Sequence, residues 1–158
     1  YPKFAAAWNA LGVLAHQQRQ NDRAEECFRR AMELDPEQFE AVVNLGGVLL
    51  GKGRIEEALP LNQKAATMHP ADALANAQLG MNYFFKRDFD SAEAPLLKAQ
   101  SLDPAHVSEP QTYLATIYLR RGERDKALAE IEEYLKIRPD GPASNRLRRQ
   151  ATALARAR

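Results

Sequence analysis

One cysteine, Cys27, in 158 residues excludes an internal disulfide and leaves the redox compartment open. Histidine is nearly as scarce. His16, His69 and His106 stand far apart without ligand spacing, so no metal site is expected. An excess of one charge is also missing: 22 basic and 21 acidic residues leave a net charge of +1, and no whole-chain field points to nucleic acid or a membrane surface. No apolar run reaches the roughly 18 residues that a membrane-spanning helix requires. No nucleophile, base and orienting group stand out together, so no catalytic residues and no cofactor are expected. No signal-peptide pattern is visible, and the chain opens at Tyr1 instead of a methionine. The compartment is therefore left open between the cytoplasm and a bacterial extracytoplasmic space.

What the chain does have is a repeat. Apolar residues make up 45% and charged residues 27%, values for a folded protein of one-domain size. Leu11, Gly12, Ala24, Ala31 and Pro36 recur after 34 residues as Leu45, Gly46, Ala58, Ala65 and Pro70. The same step leads to Leu79, Gly80, Ala92, Ala99 and Pro104, and a final step of 35 gives Leu114, Ala115, Ala127 and Pro139, with Tyr134 in place of an alanine. Several residue types recurring together at one period are a specific sign of a repeat architecture.

Each unit divides into two helical segments. Trp8, Leu11 and Ala15, then Ala24, Phe28, Ala31 and Leu34, form apolar stripes at steps of three and four on either side of a polar break. Asp22 with Glu25, Asp90 with Glu93, and Ser108 with Gln111 read as capping boxes at helix starts. The prolines at 36, 70, 104 and 139 close each pair, since proline removes a helical donor and disfavours the helical region for its predecessor. A mid-helix glycine costs about 1 kcal/mol relative to alanine. Its return at positions 12, 46 and 80 therefore implies close helix crossings, with Ala24, Ala58, Ala92 and Ala127 as the expected small partners.

On these residues the chain resembles a tetratricopeptide repeat protein. Trp8, Leu11, Gly12, Ala24, Phe28 and Pro36 match the family's pattern. Four units at 5–38, 39–72, 73–106 and 108–141 leave 142–158 over. The departures are Ala15 where tyrosine is usual, Asn62 where an aromatic is usual, and Ala115 replacing the glycine. The resemblance implies an all-α fold, a right-handed α-solenoid of four antiparallel helix pairs plus a capping helix. Its first helices would line a concave groove that binds a peptide or an amphipathic helix of another protein.

The wall residues that the resemblance implies are Asn9 and Val13 in the first unit, with His16 beside them, and Val43, Asn44, Gly47 and Leu50 in the second. Leu74, Ala77, Gln78, Met81 and Phe85 follow, with Phe84, and then Thr112, Tyr113 and Thr116. Asn9 and Asn44 could hold a ligand's backbone or pack within the solenoid. Met81, Phe84 and Phe85 suit a binding hot spot, although part of such an aromatic stripe is expected in the core. Family members that grip an acidic peptide C-terminus use a lysine and arginine clamp. Val13, Leu74 and Gln78 occupy its places here, so that clamp is absent.

The ends complete the reading. Residues 142–158 carry five arginines and no acid, leaving 17 basic against 21 acidic residues elsewhere. Leu147, Ala151, Leu154 and Ala155 make one apolar face, which reads as a cap over the last unit, with Tyr134 packing against it. No aromatic interleaves the arginines, so a solvated face is expected instead of a nucleic-acid site. Pro2 lies 34 residues before Pro36, which suggests that Tyr1 to Phe4 are the tail of an upstream unit and the chain a piece of a longer protein. The leading functional expectation is a non-enzymatic interaction module. The alternatives are a scaffold or homodimer formed through the groove or the N-terminal face, and an accessory part of an enzyme whose catalytic domain lies elsewhere.

Overall fold

The computed structural model describes residues 2–156. They form α1 (Pro2–Gln17) and α2 (Asn21–Leu34), α3 (Phe39–Gly51) and α4 (Ile55–Met68), α5 (Ala73–Phe85) and α6 (Phe89–Leu102), α7 (Pro110–Arg121) and α8 (Arg124–Ile137), and finally α9 (Ser144–Arg156). Short turns fold each pair into a hairpin, and each hairpin packs on the next. The first helices α1, α3, α5 and α7 approach one another closely in succession, whereas the second helices stand further apart, α2 and α4 being linked by the Arg29–Glu57 ion pair at 3.6 Å. The row of first helices is thus the tighter one. The solenoid curves toward it, so these helices line the inside.

The recurring glycines set the spacing within each pair. A Cβ on Gly80 would lie 2.5 Å from Leu96 Cγ and 3.1 Å from the Leu96 backbone nitrogen, and one on Gly12 would lie 2.5 Å from the Phe28 ring. Gly46 is pressed against Asn62 in the same way. The partners are therefore Phe28, Asn62 and Leu96, one turn beyond the expected Ala24, Ala58 and Ala92, which are fully buried nearby. In the fourth pair Ala115 shares its cluster with Ile131, the residue in that same place.

Asn62 takes the place of the usual aromatic with a polar solution. It is fully buried, and its Nδ2 donates to Asn82 Oδ1 at 3.1 Å, while Asn82 Nδ2 donates to the Ile55 carbonyl at 2.9 Å. This chain of amides ties α4 to α5. Tyr134 is likewise buried; its hydroxyl donates to Glu109 and accepts from the Ala143 backbone, holding the segment that leads into α9. Leu147 of α9 packs with Ala115, Ile131 and Tyr134.

All three expected capping boxes are absent. Helix α2 begins at Asn21 without a side-chain cap, so Asp22 and Glu25 lie inside it, and Asp88, not Asp90, caps α6 by accepting from the Ser91 N–H. Helix α7 starts after Glu109 in a left-handed conformation, with Pro110 in its first turn as expected. Gln111 donates to the Pro104 carbonyl instead of closing a box with Ser108. The acids of the first two boxes serve another purpose. Lys52 binds Asp22 and Glu25, Lys86 binds Glu56, and Arg121 binds Asp90 and Glu93, so each hairpin's second helix is tied to the C-terminal end of the next first helix. Residues 2–4 are helical and continuous with Trp8, where a turn was expected; Tyr1, Ala157 and Arg158 lie outside the described residues.

Gly80→Ala is expected to destabilise the fold by about 1–3 kcal/mol, because the backbone of α6 cannot yield to the added methyl; urea unfolding measures it. Glu25 provides a pH test. Burial pushes its carboxyl up, but hydrogen bonds from Lys52, Arg29 and Arg54 outweigh this and hold it at about 2, against an ordinary 4.5. A carboxyl lowered on folding contributes stability above its unfolded value and loses it as the pH falls. The melting temperature should therefore drop between about pH 4.5 and 2, and the drop should shrink in Glu25→Gln.

Candidate peptide-binding groove

On the inner wall, equal phase in successive units aligns Asn44, Gln78 and Tyr113 in one column and Val13, Gly47, Met81 and Thr116 in another. Two hollows open between these columns. One of about 320 Å³ is lined by Val13, His16, Asn44, Gly47, Leu74 and Gln78, among others. The second, of about 340 Å³, is lined by Gly47, Leu50, Gly51, Leu74, Gln78, Met81, Phe85 and Ser108. Shared Gly47, Leu74 and Gln78 make them one continuous floor. No lysine, arginine, aspartate or glutamate lines either hollow. Larger hollows occur elsewhere, about 550 Å³ between α2 and α4 and about 520 Å³ beside the α7–α8 turn. The first lies on the outer side, between helices bridged by the Arg29–Glu57 ion pair, and the second lies off the inner wall.

The expected wall residues divide by what they touch. Val13, Asn44, Gly47, Gln78, Met81 and Phe85 come together around the two hollows. Val43 and Ala77 do not offer surface to a ligand: Val43 is 5% exposed and packs with Val42, Ala65 and Ala75, and Ala77 is fully buried. Asn44 Nδ2 donates to Asn9 Oδ1 at 3.0 Å, so these amides tie α1 to α3. The Thr112 and Thr116 hydroxyls donate to the carbonyls of Glu109 and Thr112, inside their own helix.

The aromatic residues split as well. Phe84 stands edge-on to Phe89 and Tyr113 and packs against the core of the last two hairpins. Phe85 remains 47% exposed, with the Tyr113 ring 6.1 Å away at an interplanar angle of 82°. Burial, with Glu109 adding to it, raises the Tyr113 phenol above its usual range, so it stays a neutral hydrogen-bonding group. Gly51 and Ser108 are wall residues that the sequence reading missed. The signal for Gly51 was available, since it lies one helical turn after Gly47 and so on the same face.

Cys27 is buried on α2, and burial pushes its thiol up, away from the reactive thiolate. Among the described residues no group of three His, Cys, Asp or Glu side chains could hold a metal ion, and no helix is long and apolar enough to cross a membrane. What the wall can do is bury apolar side chains and offer amides.

The sequence model of the cilia and flagella-associated protein 70 middle TPR-like domain matches residues 2–95. Protein O-mannosyl-transferase TMTC1 of Homo sapiens is 29% identical over 132 residues, which is 84% of this chain and 15% of that protein. The chain spans about a quarter or less of the length of the curated relatives it matches. Among solved structures, that of MamA aligns with a TM-score of 0.79 at 20% identity, covering 99% of this chain and 90% of that one. YrrB, described as a TPR protein with an unusual peptide-binding site, aligns with a TM-score of 0.78 at 23% identity over 92% of this chain and 74% of that one. At these identities the structures establish the fold. The sequence model covers more than half of the chain, and with the helical repeat it shows that the chain belongs to the tetratricopeptide-repeat family of TPR-like domains.

Proposed function

We propose that the chain is an interaction module, built from four helix-pair units, that holds a peptide or helix of a partner protein in the groove formed by α1, α3, α5 and α7. The observation that carries this is the pair of confluent hollows meeting at Gly47, Leu74 and Gln78 on the inner wall. Their uncharged lining suits a segment that offers apolar side chains and backbone hydrogen bonds. The peptide-binding site in the description of YrrB, a relative in fold, supports the same use. Catalysis, if the parent protein has any, is assigned to a part outside these residues, since no reactive constellation faces the groove.

The test is selection of random linear peptides, displayed on phage, against the immobilised chain, followed by fluorescence anisotropy with the selected peptides. Replacing Asn44, Met81 and Phe85 by alanine together should weaken binding at least about tenfold while circular dichroism keeps its helical signal. Unchanged affinity rejects the groove.

A second reading, self-association through the leading helix, draws on Leu11 and Leu14 of α1, which are 47% and 50% exposed on neighbouring turns. Light scattering across a wide concentration range should then show a dimer that Leu11→Gln with Leu14→Gln abolishes. A strict monomer rejects it.

A further inference from the structure

The larger of the two groove hollows exists because α3 lacks side chains where the neighbouring first helices have them. At the phase of Gly47 the other units carry Val13, Met81 and Thr116, and at the phase of Gly51 they carry Gln17, Phe85 and Arg120. Both glycines lie on the groove face of α3, one turn apart, and both line the hollow. Gly47 has a reason within the folded chain: a Cβ there would lie 2.5 Å from Gln78 Nε2. Gly51 has none. A Cβ added to it would meet nothing within 4 Å, and it is not among the glycines with positive φ. Glycine is a poor helix former, so its presence here weakens the helix end without any packing gain.

A second observation at the same place concerns Gln78. Its side chain lines both hollows, the residue is 8% exposed, and its Oε1 accepts no hydrogen bond. The preceding unit shows what such an amide normally does. At the equivalent place Asn44 reaches back to Asn9, but Asn9 is replaced by Val43 in the next unit, so Gln78 has no amide to pair with. A buried amide oxygen left without a donor is a standing cost, and turning the amide toward a ligand's backbone relieves it.

We infer that the space beside Gly51 is a specificity pocket for one bulky apolar side chain of a bound protein segment, whose backbone pairs with the Gln78 amide. This rests on the groove reading above and deepens it. Leu50, Leu74, Met81 and Phe85 supply the apolar walls, and the hollow of about 340 Å³ has room for a large side chain together with the backbone that carries it. A carboxylate at this place would lose its water without gaining a cation, because no basic residue lines the hollow. The occupant is therefore an uncharged stretch of peptide anchored by leucine, isoleucine, methionine or an aromatic residue.

The peptides selected on the wild-type chain provide the test. They should share one bulky apolar position, and changing that residue to alanine in the peptide should cost about tenfold in affinity. Gly51→Leu should fill the hollow, lower affinity about tenfold and leave the unfolding midpoint unchanged or raised, with Gly51→Ala between it and wild type. In Gly51→Leu the alanine version of the peptide should bind about as well as the parent, since the anchor has already lost its pocket. Gln78→Met, which keeps the shape and removes the amide, should weaken binding about fivefold. Selected peptides without a common apolar residue, a preference for carboxylates, no selectable peptide at all, or full affinity in Gly51→Leu would each overturn the pocket. If Gly51→Leu binds normally while the Asn44, Met81 and Phe85 variant does not, the pocket is wrong and the groove stands. If neither variant matters, both readings fall.

Discussion

The distance at which the first and second helix of each hairpin cross is the constraint on which the rest of this structure depends. At Gly12, Gly46 and Gly80 a missing side chain lets Phe28, Asn62 and Leu96 lie against the neighbouring backbone. Tight contact within the hairpins, together with a closer approach between successive first helices than between successive second helices, gives the stack an inner and an outer side. Close-packed interiors do not absorb an extra methyl gradually, so the glycine phase is fixed while the residues around it vary. The one unit without a mid-helix glycine keeps the arrangement with Ala115 beside Ile131.

Polar groups then determine how hairpins follow one another. A basic residue at the end of each inner helix from α3 onward reaches back to acids in the preceding outer helix. Exposed pairs of this kind contribute little individually, about 0–1 kcal/mol. Glu25 differs because it is buried and gathers Arg29, Lys52 and Arg54 around one carboxylate. The amide chain from Asn62 through Asn82 to the Ile55 carbonyl acts where the repeat pattern calls for an aromatic. Directional bonds there replace apolar bulk between the second and third hairpins.

Asymmetry along the inner wall is the feature on which the proposed binding role rests. In a strict repeat every unit would present the same side chains, and the groove would have no preferred register for a ligand. Here the second unit opens a gap at Gly47 and Gly51, while the third and fourth fill theirs with Met81, Phe85 and Thr116. Bulky walls next to an opening define a position, and position is what lets a groove discriminate among peptide sequences.

Much of this was legible in the sequence. The 34-residue recurrence and its apolar stripes determined the helix pairs, their order and the family, because local periodicity and proline breaks act within one unit. The expectation that first-helix residues form the inner wall came from the family resemblance. Tertiary structure decided the rest, since each point turns on a partner some 16 to 35 residues away in the chain. It moved the glycine partners one turn onward, took Asp22 and Glu25 from a cap into an ion cluster, and buried Val43 and Ala77 between helices. It also paired Asn9 with Asn44 and left Gln78 without a donor beside the empty place at Gly51. A side chain's phase along its own helix is local information, but which neighbour it meets depends on the angle and distance at which two helices pack, and those exist only once the hairpins are stacked.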